Sequence, residues 1–359
     1  PNPHPFLTNN APPVPNFEDD LGLGWDGVGK ISFGDLQLSD DQRTLYVVNL
    51  FNRSLYQIPI GTNDPNDPYG PVAPGAGAID VFPLTNNTLP GLPCAATWDV
   101  DLRPGALGIY NNTVYVGVVC SAESTVADHT DPAVVGDVTA LEALVYRFDG
   151  TAFTQVASFG LDYPRGTHTN GAPASPANWL PWKNQQNGRA APFGQVVYPQ
   201  PMFMDIEFDE LGFMIAGIGD RYGHQSGNDN ADGGDPTTSV GTVEGVSAGD
   251  ILRLAPTGGG NWVLENNATS GGITTGGAGN GEGPGGGEYY FHDSFTVLAA
   301  NPTHDEITLG GLASVPGRGE LVVAVFDPPP ANQQINGKQW VDLGTYNFTA
   351  GENRVELEA

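Results

Sequence analysis

Several things are scarce in this sequence, and each shortage removes a class of function. There are two cysteines, Cys94 and Cys120, in 359 residues. No C-x-x-C or C-x-x-C-H occurs, which leaves thiol redox chemistry and c-type haem attachment without support. The six histidines (His4, His129, His168, His224, His292 and His304) show neither H-x-x-x-H nor H-E-x-x-H spacing, so no zinc or iron site is legible. Ser314 lies outside any G-x-S-x-G, so the hydrolase elbow is missing. The glycine-rich stretch 271–287 does not open a helix with Lys-Ser/Thr and is no phosphate loop. No apolar run reaches membrane-spanning length. Bases are scarce too: 13 Lys and Arg stand against 41 Asp and Glu, a formal charge of −28. Nucleic acids and anionic membranes carry the wrong sign for such a surface. Divalent cations suit it, and so does plain solubility in salty or extracellular surroundings.

What is abundant is glycine (50) and proline (31), with no long stretch of helical periodicity. That combination favours many short strands joined by loops. The clearest unit runs from Pro201 to His224. Met202–Phe208 and Phe213–Ile218 are short apolar runs joined by Asp209-Glu210-Leu211-Gly212, a turn with glycine where a positive φ is needed. The same hairpin recurs at Asp35–Asn49 and Gly311–Asp327, and in weaker form at Asp101–Cys120. The intervals Asp35 to Asn49, Asp205 to Asp220 and Leu312 to Asp327 span 14, 15 and 15 positions. A strand-turn-strand unit of constant length signals a repeat fold. The expected fold is all-β, a β-propeller of five to seven blades, some degenerate, with long loop insertions.

Residues 1–17, with six prolines, read as an extended arm or linker. Residues 18–359 read as the propeller domain. The first residue, Pro1, and the terminal Val355–Ala359, which reads as a strand cut short, suggest a piece of a longer protein. Thr139–Arg147 could form a brief amphipathic turn but is assigned to a strand ending at Phe148. Leu141–Phe148 and Phe153–Phe159 flank Asp149-Gly150, a strong hairpin pair. Tyr289–Leu298 is a further candidate strand. The insertion Asp162–Pro199 holds Trp179 and Trp182, which argue for an ordered loop. The ten glycines within 271–287 suggest a flexible one.

Candidate sites are acidic. Asp35 and Asp205 occupy matched positions in their hairpins, as do Asn49, Asp220 and Asp327. Acids at strand entries and exits could converge on a propeller channel and hold Ca²⁺, which takes six to eight oxygens. The competing role is to cap turns and accept backbone N–H bonds. In the segment 228–235, Asn228, Asn230 and Asp232 alternate as in the first half of an EF-hand loop, but Ser239 stands where the glutamate should be. The run 63–67 (NDPND) is a weaker candidate. Cys94 and Cys120 fall in one hairpin and would pair in an oxidising compartment. Trp179, Trp182, Tyr198 and Tyr222 could form a sugar- or peptide-binding surface, or could simply pack the long loop. Five glycosylation sequons, at Asn52, Asn86, Asn111, Asn267 and Asn347, matter only in a host that uses them.

The segment 45–56 (LYVVNLFNRSLY) resembles the repeat of NHL and related six-bladed propellers. Together with Gly34-Asp35-Leu36, the segment 115–123 (YVGVVCSAE), and Tyr198–Pro201, Asp205–Asp209 and Asp220–Gly223, it resembles the propeller-like region of large bacterial surface proteins that carry SdrD B-like repeats. The resemblance covers roughly residues 30–330. It implies export and display at the cell surface, with immunoglobulin-like or SdrD B-like modules after the propeller, and it implies no catalytic set. The expectation is an exported, cell-surface or extracellular propeller that acts in adhesion or assembly, with calcium as cofactor. Its partner would be a protein, a glycan or another copy of itself. The alternative is a calcium-dependent propeller hydrolase or lactonase, which needs Asp35, Asp205 and Asp220 to converge.

Overall fold

The computed structural model describes residues 26–60, 79–168, 177–184, 189–190, 195–226, 230–231, 242–291, 295–296, 303–304, 306–315, 320–325, 342–347 and 355–357. Sixteen strands form four antiparallel sheets, each of four strands in sequence order. Sheet I holds β1 (Phe33–Leu38), β2 (Thr44–Asn49), β3 (Ser54–Pro59) and β4 (Asp80–Pro83). Sheet II holds β5 (Leu102–Tyr110), β6 (Thr113–Cys120), β7 (Glu142–Phe148) and β8 (Phe153–Gly160). Sheet III holds β9 (Pro201–Phe208), β10 (Met214–Asp220), β11 (Asp250–Gly258) and β12 (Asn261–Leu264). Sheet IV holds β13 (Thr308–Val315), β14 (Glu320–Val325), β15 (Asp342–Asn347) and β16 (Val355–Leu357).

The four repeated hairpins of the sequence are therefore the first two strands of each sheet. The turn at Gly212 takes φ +80°, as its hairpin requires. Within the segment 139–147, β7 begins at Glu142 and follows one 3-10 turn at Val138–Ala140, whose Thr139 amide donates to Asp137. Among the described residues of the candidate strand Tyr289–Leu298, Tyr289 and Tyr290 are buried outside any strand, and Phe295–Thr296 pair with Thr303–His304. The glycine-rich segment is a folded coil rather than a loose linker. Positive-φ glycines turn it back so that Asn267 N–H bonds to Pro284 O and Ala268 N–H to Gly287 O.

Three hydrophobic cores lie in series between consecutive sheets. Val48, Leu55, Leu107, Val116, Leu144 and Tyr146 fill the first, between sheets I and II. Ala106, Tyr115, Val145, Phe203, Ile206 and Met214 fill the second, between II and III. Ile215, Ile251, Leu312, Leu321 and Val323 fill the third, between III and IV. The period of two along a strand explains this division. Met214, Ala216 and Ile218 of β10 face sheet II, and Ile215 faces sheet IV, so β10 is buried along its whole length. Fully covered strands read as continuous apolar runs, which is how β6 and β10 look in the sequence.

Every first strand carries an irregularity against its hairpin partner. The shifts fall between Phe33 and Leu36, Pro104 and Ala106, Phe203 and Asp205, and Thr308 and Leu312. Bulges bend a strand and re-aim its side chains. Here they let the first strands approach closely. A Cβ on Gly105 would lie 2.2 Å from Phe203 O, so no other residue fits between β5 and β9. The disulfide Cys94–Cys120, with Cα atoms 5.8 Å apart, ties the loop before β5 to the buried end of β6.

Candidate functional site

The four bulges border one half-open cavity of about 440 Å³. Gly34 and Asp35 come from β1, Gly105 from β5, Met204 and Asp205 from β9, and Gly311 from β13. The remaining wall is largely apolar, with Phe33, Leu50, Met202, Phe203 and Trp182. Asp35 and Asp205, matched in the sequence repeat, meet here. Each stitches its strand to the first strand of the next sheet. Asp35 Oδ2 accepts from Leu107 N–H at 3.0 Å, and Asp205 Oδ2 accepts from Leu312 N–H at 2.8 Å. The Asp35 carboxylate also caps its own neighbour, Leu36 N–H, at 2.7 Å.

The two carboxyls lie close enough to share a proton. Burial, opposed by these backbone bonds, pushes Asp35 up to about 6. Burial, reinforced by the charge of Asp35, pushes Asp205 up to about 8. Asp205 Oδ1 is buried without a hydrogen-bond donor from another residue. Glu207 stands near both, raised by burial, and accepts from Ser314 Oγ at 2.8 Å. Both Oδ2 atoms are committed to amides and the walls are apolar. The pair thus offers too few oxygens for the six to eight that calcium takes. It fits a shared proton, or a single basic group.

Asp220 does not join them. At the end of β10 it is fully buried, and its carboxylate accepts three backbone amides: Gln200 and Tyr222 at 2.9 Å on Oδ1, and Ala248 at 3.2 Å on Oδ2. Burial raises it to about 7. Asp220 is a brace that holds the short helix Arg221–Ser226 against two loops, and the three-acid channel is not assembled. Asn49 likewise closes a turn, accepting from Phe51 and Asn52 amides. Asn228, Asp232, Asp327 and the run 63–67 lie outside the described residues. Asn230 opens a two-residue strand with Ala231.

Trp179, Trp182, Tyr198 and Tyr222 are each about 1% exposed, so they pack the long loop and present no surface. Trp182 lies between two guanidinium groups, Arg221 at 4.3 Å and Arg103 at 5.3 Å from its ring. Arg103 and Lys30 both bind Glu123, and Arg221 binds Asp26. This paired network seals one side of the cavity.

A second acidic group was not legible in the sequence. Asp250 at the start of β11, Glu288 after the glycine-rich coil and Glu306 before β13 place carboxylate oxygens within 4.8 Å of one another. All three are buried, and Arg165, from the long insertion, pairs with Asp250 and Glu306. The one available hint was an arginine in a tryptophan-bearing loop.

No protein-family model matches the chain. Among curated proteins, Colossin-D of Dictyostelium discoideum is 28% identical over 324 residues, covering 88% of this chain and 27% of Colossin-D. Colossin-B of the same organism is 27% identical over 328 residues, covering 87% of this chain and 7% of Colossin-B. The chain thus corresponds to a minor part of each. Among solved structures, a Lactobacillus plantarum protein superposes with a TM-score of 0.35 at 10% identity, over 91% of this chain and 54% of that one. Among the described residues, no helix is long and apolar enough to cross a membrane.

Proposed function

We propose that the chain is a β-propeller module of an exported surface protein, and that it works by binding, in adhesion or assembly. The observation that carries this reading is the cavity on which the bulges of all four first strands converge. Sheets stacked face to face, with first strands gathered at one place, are what a propeller's blades do. Closing the ring with five to seven blades is part of the proposal, as is kinship with surface proteins bearing SdrD B-like repeats. The disulfide fits an oxidising compartment. The acidic surface fits extracellular salt, and the much longer colossins fit a module within a large chain.

The occupant of the cavity is a protein side chain with an apolar arm and a basic end. The apolar walls would cover the arm, and the Asp35–Asp205 pair would accept the charge. Beads coated with the chain test this against one another and against arrays of lysine- and arginine-bearing peptides and of glycans. Met204→Trp, which fills the cavity, is expected to abolish capture, and Asp205→Asn to weaken it. Capture unchanged in both variants would overturn the reading. The hydrolase alternative draws on the same carboxyl pair and predicts ester or lactone turnover that Asp205→Asn removes.

A further inference from the structure

We propose that Asp250, Glu288 and Glu306 form a calcium site, separate from the central cavity and independent of the adhesion reading. The three side chains are 2–3% exposed and come from the start of β11 and two loops that the chain brings together only on folding. Arg165 occupies one side. Its Nη2 lies 3.1 Å from Glu306 Oε2 and its Nε 3.5 Å from Asp250 Oδ2, and its other hydrogens go to the carbonyls of Ala177, Ala248 and Gly249. Trp179 covers the guanidinium face at 3.6 Å. The guanidinium thus pairs with two of the three carboxylates.

The independent observation is at Asp250. Its Oδ2 accepts from Tyr163 Oη and faces Arg165, but its Oδ1 is buried with no hydrogen-bond donor. A buried carboxylate oxygen left without a donor is costly, and a cation is a partner that would satisfy it. The surrounding donors are all oxygen, which selects a hard divalent ion. Calcium tolerates the irregular geometry of such a site and accepts carbonyl oxygens and water to complete its shell; magnesium demands near-octahedral order.

The glycine-rich coil explains how Glu288 is delivered. A Cβ on Gly277 would lie 2.1 Å from Glu288 O, and one on Gly283 would lie 2.9 Å from Glu288 Cα. The coil can wrap Glu288 this tightly only because those positions lack side chains. On the opposite side, a Cβ on Gly166 would meet Glu282 Oε1 at 2.2 Å, and this fourth, half-buried carboxylate lies close enough to Asp250 for their charges to interact.

Terbium serves as the probe, because Trp179 and Tyr163 lie beside the site and would sensitise its emission. The expected result is emission that saturates at about one ion per chain and is displaced by calcium. Calcium over chelator should also raise the melting temperature, since the site exists only in the folded chain. Glu288→Gln should weaken terbium binding roughly ten- to a hundred-fold, and Asp80→Asn, an exposed acid, should leave it unchanged. If Glu288→Gln fails to fold by circular dichroism, Trp179→Phe replaces it: tryptophan-excited emission should fall while the calcium-dependent melting shift persists. Absence of sensitised emission in the wild type, no melting shift, or emission equal in wild type and folded Glu288→Gln would each overturn the site. A failed bead assay with this titration intact would remove the adhesion reading alone.

Discussion

The protein buries two groups of carboxylates and stabilises them differently. At the central cavity, Asp35 and Asp205 lie together, and each spends an oxygen on a backbone amide of the next sheet. At the second group, Asp250 and Glu306 pair with Arg165, and Glu288 lies within 4.8 Å of both. The first solution keeps charge low by retaining a proton. The second brings in a positive charge from the long insertion. The difference follows from position. The cavity pair sits at the bulges of two first strands, whereas Asp250 at the start of β11 and Glu306 in a loop lie where Arg165, from the long insertion, reaches them.

Removing the cation should have the largest effect. Arg165→Met removes the guanidinium paired with the buried carboxylates of Asp250 and Glu306 and is expected to cost about 3–5 kcal/mol, read as a drop in the urea midpoint. If calcium fills the second group, adding it should recover part of that loss. Opening the disulfide in a Cys94→Ala, Cys120→Ala double variant should cost about 3 kcal/mol for a separation of 26 residues. This change touches neither acidic group, so its effect should be additive with that of Arg165→Met.

The cavity pair should show itself through pH. Asp205 titrates near 3.8 when unfolded and at about 8 when folded. Between those values the native state holds a proton that the unfolded state has released. Stability therefore falls as pH rises through that window, by about 1.4 kcal/mol per unit while one full proton is retained. Asp205→Asn keeps the acceptor for Leu312 N–H and removes the titration. Its stability relative to wild type should climb from pH 4 to pH 8, measured by urea melts at each pH. A flat difference would mean that the pair does not share a proton. The smallest effect belongs to Glu207→Gln, which keeps an acceptor for Ser314; about 0.5 kcal/mol is expected in the same assay.

Much of this was legible in the residues. The hairpins read correctly because period-two apolar runs and glycine turns are local signals. The match between Asp35 and Asp205 read correctly because both follow the same strand position. Asp220 belongs to the other matched set, with Asn49 at the end of the second strand, and stays apart from the pair because the amides of Gln200, Tyr222 and Ala248 claim its oxygens. The glycine-rich coil misled through composition: positive-φ glycines make tight turns as readily as loose chain, and only the bonds of Asn267 and Ala268 to its far end reveal which.

The sequence by itself determined the strands, their pairing in hairpins, the disulfide partners and the acidic surface, because each depends on near neighbours, on counting or on net charge. Tertiary structure alone decided which acids meet. Asp250, Glu288, Glu306 and Arg165 are far apart in the chain, and no local pattern sets their approach. Packing does, as the sheets stack and the glycine coil closes, and the low dielectric created there turns ordinary surface residue types into groups that must find a proton or a cation.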